Sequence, residues 1–320
     1  MVNIMTPLNN IKNIDNFIKA GAEEFYMGFY DVEWERQFGN FSDLNRMSGF
    51  GLEANKYSFC EIEKIMSEIN RKGKKLFITF NATTYTDRQL CHLETYFYKL
   101  AENNVDGIII SSPAVLLIAK KYGIKCIAST MCGIYNSQIL KFYNDLGVDR
   151  IIFPRDISLY NIEKIVRANP NIEYEIFIMR NGCVFSDSHC LGQHRKEYGS
   201  LCMNIRRAKK YIFTTKNEFK IQHDMELTDM LYCNRFHIFT CGLCSIYALM
   251  KINISALKIV GRSDDYNNLY TDITLVKTNI KIAESCNTEE EYLENMCFPP
   301  NRDIACKCGL SCYYPESRFN

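Results

Sequence analysis

Gly147-Val148-Asp149-Arg150-Ile151-Ile152-Phe153 is the stretch that decides the fold. A helix ends, a glycine follows, a small or acidic residue turns the chain, and an apolar run begins. The phrase returns along the sequence. Gly21-Ala22-Glu23 precedes Phe25-Tyr26-Met27-Gly28, and Asn104-Val105-Asp106 precedes Ile108-Ile109-Ile110. Asn253-Ile254-Ser255 precedes Leu257-Lys258-Ile259-Val260. Short apolar runs bounded by turn residues and separated by helical patterns predict parallel strands in βα units.

The intervening segments carry helical periodicity. Ser58-x2-Glu61 is a capping box, and Phe59, Ile62, Ile65, Met66 and Ile69 form one apolar stripe that Gly73 closes. Leu159, Ile162, Ile165 and Val166 repeat the pattern after Ser158, and Thr288 with Glu291 starts a late helix. Strands are expected at Asn3–Met5, Glu24–Gly28, Lys75–Phe80, Gly107–Ile110, Cys126–Ser129, Arg150–Phe153, Tyr174–Ile178 and Ala256–Val260. Eight such units predict an α/β fold, a TIM-type (β/α)8 barrel. A doubly wound sheet would also alternate in this way, but no G-x-G-x-x-G follows the first strand, which counts against a dinucleotide site. The rhythm breaks from Asn181 to Thr240, too long for an ordinary βα loop. We read a barrel domain over 1–285, with a cysteine-rich insertion at 181–254 between strands seven and eight. A cysteine-rich tail covers 286–320.

The chain has 320 residues, and its 47% hydrophobic content fills a sizeable core. A net charge of +1 gives no global pull toward nucleic acid or anionic membrane. Arg71-Lys72, Lys74-Lys75, Arg206-Arg207 and Lys209-Lys210 read as solvated faces. The start, MVNIMTPLNN, has neither a basic n-region nor an apolar h-region, which predicts a cytoplasmic protein. No stretch approaches the ~20 apolar residues of a membrane span. Cytosolic thiols stay reduced, so metal binding is a better use of fifteen cysteines than disulfides.

Four of them stand as Cys183-x6-Cys190-x11-Cys202-x38-Cys241, following the seventh strand. One cysteine alone reads as a buried thiol. A dense group reads as a metal site. Soft sulfur ligands select zinc or iron–sulfur centres, and the lack of a C-x2-C pair among the first two ligands favours iron–sulfur. His189 and His194 flank Cys190 and read as loop histidines, with a ligand or proton-donor role as the alternative.

A TIM barrel gathers its chemistry at the C-terminal ends of its strands. Those ends carry Thr6, Gly28, Asn81, Ser111, Thr130, Arg155, Asp156, Arg180, Lys258 and Arg262. Asn81, Arg155, Asp156, Lys258 and Arg262 are the candidate catalytic residues. Arg155, Lys258 and Arg262 would hold an anionic group, and Asn81 and Asp156 would orient the substrate. Arg155 with Asp156 also reads as a capping carboxylate and its ion partner, and Lys258 as an interior lysine paired with an acid. H-E-x-x-H, G-x-S-x-G and the P-loop are all missing from the sequence.

Three stretches carry a family resemblance. They are Gly147 to Leu159, Glu173 to Ile178 leading to Cys183 and Cys190, and Ala256-Leu257-Lys258-Ile259-Val260-Gly261-Arg262. Together with Ser129, Thr130 and Asn136 they resemble the collagenase-like peptidases, peptidase family U32, over about residues 2–265. The family often has a histidine just before its first cluster cysteine. Here Met179-Arg180-Asn181-Gly182-Cys183 stands in that place.

The resemblance implies a [4Fe–4S] cluster on Cys183, Cys190, Cys202 and Cys241. Cys241 is taken over Cys244 because its distance to Leu257-Lys258-Ile259 matches. The tail adds Cys297-x8-Cys306-x-Cys308-x3-Cys312, a second metal site or a closure over the first. The function implied is an iron–sulfur enzyme that modifies an organic, RNA or peptide substrate without oxygen, in a hydroxylation-like reaction. A collagenase-like peptidase is the alternative, and an accessory cluster protein working with a family partner is a third reading.

Overall fold

The computed structural model describes residues 2–39, 42–183, 186–190, 194–195, 199–200, 239–300, 306 and 312–317. Seven parallel strands come first: β1 Asn3–Pro7, β2 Glu24–Met27, β3 Lys75–Phe80, β4 Gly107–Ile110, β5 Cys126–Ala128, β6 Arg150–Ile152 and β7 Glu173–Met179. The short strands β8 His194–Arg195 and β9 Gly199–Ser200 pair antiparallel as a separate two-stranded sheet, with β8 against the 3-10 segment Ser48–Glu53. The last barrel strand is β10, Ala256–Ile259. The barrel closes in the order β1-β10-β7-β6-β5-β4-β3-β2. This is the TIM-type (β/α)8 barrel that the repeating phrase predicts.

All eight strands lie where the apolar runs are, with ends displaced by one or two residues. β1 continues through Pro7, and β7 gains Glu173 and Met179. β10 stops at Ile259, where the ladder to β7 slips between Lys258 and Ile259. Such a slip bends the strand and redirects the side chains after it.

The helices form for the reasons read in the sequence. Phe59–Arg71 begins on the Ser58–Glu61 capping box and buries Phe59, Ile62, Ile65, Met66 and Ile69 against the barrel. Leu159–Ala168 starts on the Ser158 side chain, which accepts from the Asn161 N–H. Glu289–Asn295 starts on Thr288 and packs against Tyr266–Ser285 with Tyr292 fully buried.

Charge runs through the barrel interior. Arg150 donates to Glu24 at 2.5 and 3.0 Å and to Glu173 at 2.7 Å. Its guanidinium lies 5.2 Å over the Phe77 ring. One layer nearer the mouth, Lys258 Nζ stands 2.7 Å from Glu175 and 3.8 Å from the Tyr26 ring centroid. Buried charges survive only when paired in this way. Burial pushes the Lys258 ammonium below its ordinary range, against the pull of Glu175.

Candidate active site

β7 ends in a strained turn. Arg180 and Asn181 both have positive φ, 66° and 49°, which is uncommon for residues with a side chain. Three contacts hold the turn. Arg180 N–H donates to the Thr240 carbonyl at 2.7 Å, and its guanidinium pairs with Asp272. Asn181 donates to Asp264 at 3.0 Å. Gly182 then lies so close to Thr240 that a Cβ there would stand 2.4 Å from Thr240 Oγ1. Just beyond Thr240, Cys241 bridges to Met179 and Gly242 N–H donates to the Ile178 carbonyl at 2.8 Å. The two ends of the insertion are therefore stitched together. Cys183 and Cys241 each flank the Gly182–Thr240 contact.

The other cysteine positions are less gathered. Cys190 follows the short 3-10 turn Asp187–His189. Cys202 and Cys308 lie outside the described residues. Cys241 is buried, and its thiol contacts that of Cys306, with Cys244 close by. That contact, together with burial, holds the Cys241 thiol well above the ordinary range. Among the described residues, no three cysteine, histidine or carboxylate side chains share a metal-binding point. What fits a sulfur-ligated cluster is the donor chemistry and the stitch, which brings Cys183 and Cys241 to the same strand end.

A cationic pocket adjoins them. Asp187, whose side chain is fully buried, receives Arg46 Nη1 at 3.0 Å, Arg155 Nη1, and the Arg155 N–H at 3.1 Å. Burial would raise the Asp187 carboxyl, but the Arg155 and Arg46 charges hold it below the usual range. The Arg155 guanidinium stacks 4.1 Å over the Phe177 ring, and Tyr313 stacks on the same phenyl. Arg262 Nη1 donates to Asn45 Oδ1 and Thr79 Oγ1, both at 3.0 Å. Only a glycine at 28 admits Arg262, since a Cβ there would stand 2.5 Å from its guanidinium. Burial lowers Arg262 to about 10.

His194 faces these three arginines. Burial first, then Arg46, Arg155 and Arg262, push its imidazole down to about 4. Among the described residues, the buried atoms Arg155 Nε and His194 Nδ1 meet no hydrogen-bond partner. Orphaned buried polar groups of this kind call for an unseen water, ion or ligand. Three guanidiniums against one carboxylate make the pocket fit for an anion.

The candidate residues divide. Arg155 and Arg262 line the pocket. Asn81 accepts from the Arg46 N–H at 3.3 Å, so it anchors the loop that delivers Arg46. Lys258 lies deeper, neutralised by Glu175. Asp156 turns away to the Tyr135 hydroxyl. From there a chain of contacts runs through Ser186 at 2.6 Å and Ser188 at 3.0 Å to His189 Nδ1 at 3.0 Å.

Sequence reasoning missed Arg46 and Asp187, and read His194 first as a loop residue, with a ligand or proton-donor role as the alternative. The available signal was the long segment between β2 and β3, which a functional loop explains better than a connector. It also missed Tyr313, whose hydroxyl donates to the Arg180 carbonyl and whose ring lies beside Arg155.

A (β/α)8 barrel whose mouth combines thiols with a buried arginine cluster is the class of protein this geometry defines. The family model for peptidase family U32 matches residues 9–316, and the chain belongs to that family. It is 30% identical over 193 residues to tRNA hydroxylation protein P of Helicobacter pylori, covering 59% of this chain and 42% of that protein. It is 28% identical over 268 residues to tRNA hydroxylation protein P2 of Bacillus subtilis, covering 81% and 78%. It is 22% identical over 202 residues to a collagenase of Porphyromonas gingivalis, covering 63% and 42%. The chain thus spans less than half the length of the Helicobacter relative. Among the described residues, no helix is long and apolar enough to cross a membrane.

Proposed function

We propose that this protein is an iron–sulfur enzyme that modifies an RNA substrate, tRNA foremost, by an oxygen-independent hydroxylation-like reaction. The observation that carries the reading is the Gly182–Thr240 stitch, which sets Cys183 and Cys241 at the strand end beside the arginine pocket. Relatives named for tRNA hydroxylation support the substrate class.

Cys183, Cys190, Cys202 and Cys241 would hold a [4Fe–4S] cluster, with Cys244 as the rival fourth ligand. When bound, such a cluster supplies electron transfer and a Lewis-acidic iron. The chain's own residues do the rest. Arg155 and Arg262, with Arg46, bind an anionic group of the substrate or of an oxygen-donating co-substrate. Asp187 holds Arg46 and Arg155 in place. Asn81 fixes the Arg46 loop, and Lys258 with Glu175 forms the pocket floor. His194 stays neutral at pH 7 and presents Nδ1 as an acceptor for a substrate proton. Tyr313 and Tyr314 exclude water from the end of β7. Asp156 orients Tyr135 at the rim.

The test is anaerobic incubation of unmodified tRNA with reconstituted protein and a protein-free small-molecule cell extract that supplies the oxygen-donating co-substrate, followed by nucleoside mass analysis. A ribonucleoside heavier by one oxygen atom, lost in Arg155→Ala, is expected. Unchanged nucleosides across tRNA species would contradict the substrate class.

A peptidase is the second reading, favoured by the Ser188–His189 contact at 3.0 Å. Nucleophilic catalysis needs a third group to orient the base. Among the described residues no carboxylate bonds the far nitrogen of His189. Gelatin cleavage by metal-free protein, abolished in Ser188→Ala, would establish this reading. A third role, as an accessory cluster protein paired with a family member, predicts tRNA modification only after that partner is added.

A further inference from the structure

The stretch 312–317 reaches the arginine pocket from far along the chain, and it is pinned across the end of β7. Tyr313 N–H donates to the Cys241 carbonyl at 2.9 Å, and the Tyr314 hydroxyl donates to the Phe177 carbonyl at 2.9 Å. Glu316 accepts from the N–H of Leu159, the first residue of the helix after β6. The Tyr314 ring fills the space beside Gly242, where a Cβ would meet it at 2.8 Å. Tyr313 and Tyr314 are both buried.

This anchoring sets one phenol between the anion pocket and the turn after β7. The Tyr313 ring stacks on Phe177 with centroids 6.0 Å apart, and the Arg155 guanidinium lies 4.1 Å over the same phenyl. The Tyr313 hydroxyl donates to the carbonyl of Arg180, which opens the strained turn leading to Cys183. A phenol keeps its proton at neutral pH, and here that proton goes to the carbonyl. The oxygen's lone pairs are left for the Arg155 guanidinium beside it. Asp187 and Cys183 lie within electrostatic reach of the same phenol.

Arg155 is thus held by three groups. Asp187 takes one edge, Phe177 covers a face, and Tyr313 stands beside it. Its Nε meets no partner among the described residues. A guanidinium is a rigid planar fork, so contacts on edge and face set the direction of the donor left open.

We propose that Tyr313 is a positioning residue: its hydroxyl, set between the Arg180 carbonyl and the Arg155 guanidinium, aims Arg155 and ties the anion pocket to the turn that carries Cys183. The inference rests on the reading of Arg155 as an anion-binding group. It makes the stretch 312–317 a working wall of the site. Packing alone predicts a different outcome, because Tyr313→Phe keeps the ring on Phe177 and loses only the oxygen.

The test is Tyr313→Phe in the full chain, read by phenylglyoxal labelling of arginines under nitrogen with mass mapping. Arg36 and Arg167, whose side chains are 75% exposed, are the internal standards. Arg155 should label roughly tenfold faster than in the native chain, the effect of taking one partner from a charged donor, while both standards keep their rates. Tyr314→Phe removes the neighbouring hydroxyl and should leave the Arg155 rate unchanged. A native Arg155 rate in Tyr313→Phe overturns the proposal. So does an equal rise in both variants, which would reduce Tyr313 to a fastening of the stretch.

The tRNA assay gives a second readout. Tyr313→Phe should raise the half-saturating level of the ligand that Arg155 holds, tRNA or extract, by about tenfold and keep the limiting rate within about threefold, the pattern of lost binding. A lower limiting rate with native half-saturation for both overturns the positioning role. If the native chain modifies no tRNA, the hydroxylation reading fails, and the labelling still decides the role of Tyr313.

Discussion

Asp187→Asn removes the carboxylate shared by Arg46 and Arg155 while keeping its shape. At about 3 Å and an effective dielectric near 20, each pair carries roughly 5 kcal/mol of Coulomb energy. Desolvation of the three ions offsets most of it. The asymmetry matters more than the sum, because the amide leaves two buried guanidiniums uncompensated. Breaking a buried pair from one side costs about 3–5 kcal/mol. At roughly 2 °C per kcal/mol for a large domain, the Tm falls by ~6–10 °C. Urea unfolding at pH 7 measures the loss directly.

The pH dependence follows from the sign of the shift. The Asp187 carboxyl is held below its ordinary range because the arginine charges outweigh burial. Its contribution is therefore present above about pH 4 and vanishes as the pH falls through the lower folded value. The gap between the variant and the native chain stays constant from about pH 5 to 7 and narrows below about pH 4. Adding Arg155→Met should recover at least about 1 kcal/mol, because the two sites are coupled. A loss below about 1 kcal/mol, or strict additivity in the double variant, would refute the bridge.

Three further outcomes are expected. Gly182→Ala places a methyl 2.4 Å from Thr240 Oγ1, parts the two ends of the insertion and lowers anaerobic iron affinity by roughly tenfold; native iron uptake would count against the stitch. The His194 imidazole should titrate near 4 by NMR. Because that is below the unfolded value near 6.5, stability is intact above pH 6.5 and declines toward pH 4. His194→Gln should lose this slope, and an NMR value near 6.5 would contradict the pocket's charge. Lys258→Met should destabilise less than Lys258→Ala by about 2 kcal/mol in urea unfolding, because it keeps the packing under Tyr26 and opens no cavity.

The barrel was legible because each strand is a short apolar run between turn residues, a signal carried within one window. Strand ends shifted where the cause is tertiary, as at the Lys258–Ile259 slip against β7. The strand-end rule found Arg155 and Arg262, yet not what they face. Arg46 meets Asp187 from 141 positions away, and no local pattern reports such a pair. Arg155 and Asp156 are neighbours in sequence that diverge at a turn, one to Phe177 and the other to Tyr135. The tail cysteines could be counted in the sequence, but the backbone bridge of Cys312 to Cys241 goes with Tyr313 and Tyr314 docking on the end of β7, which no local pattern reports.

Iron and acid-labile sulfide in protein purified under nitrogen test the central claim most directly. The account predicts about four of each per chain and a brown chromophore. Loading should fall sharply in Cys183→Ser and Cys190→Ser. A colourless, iron-free chain that stays so after anaerobic reconstitution would contradict it.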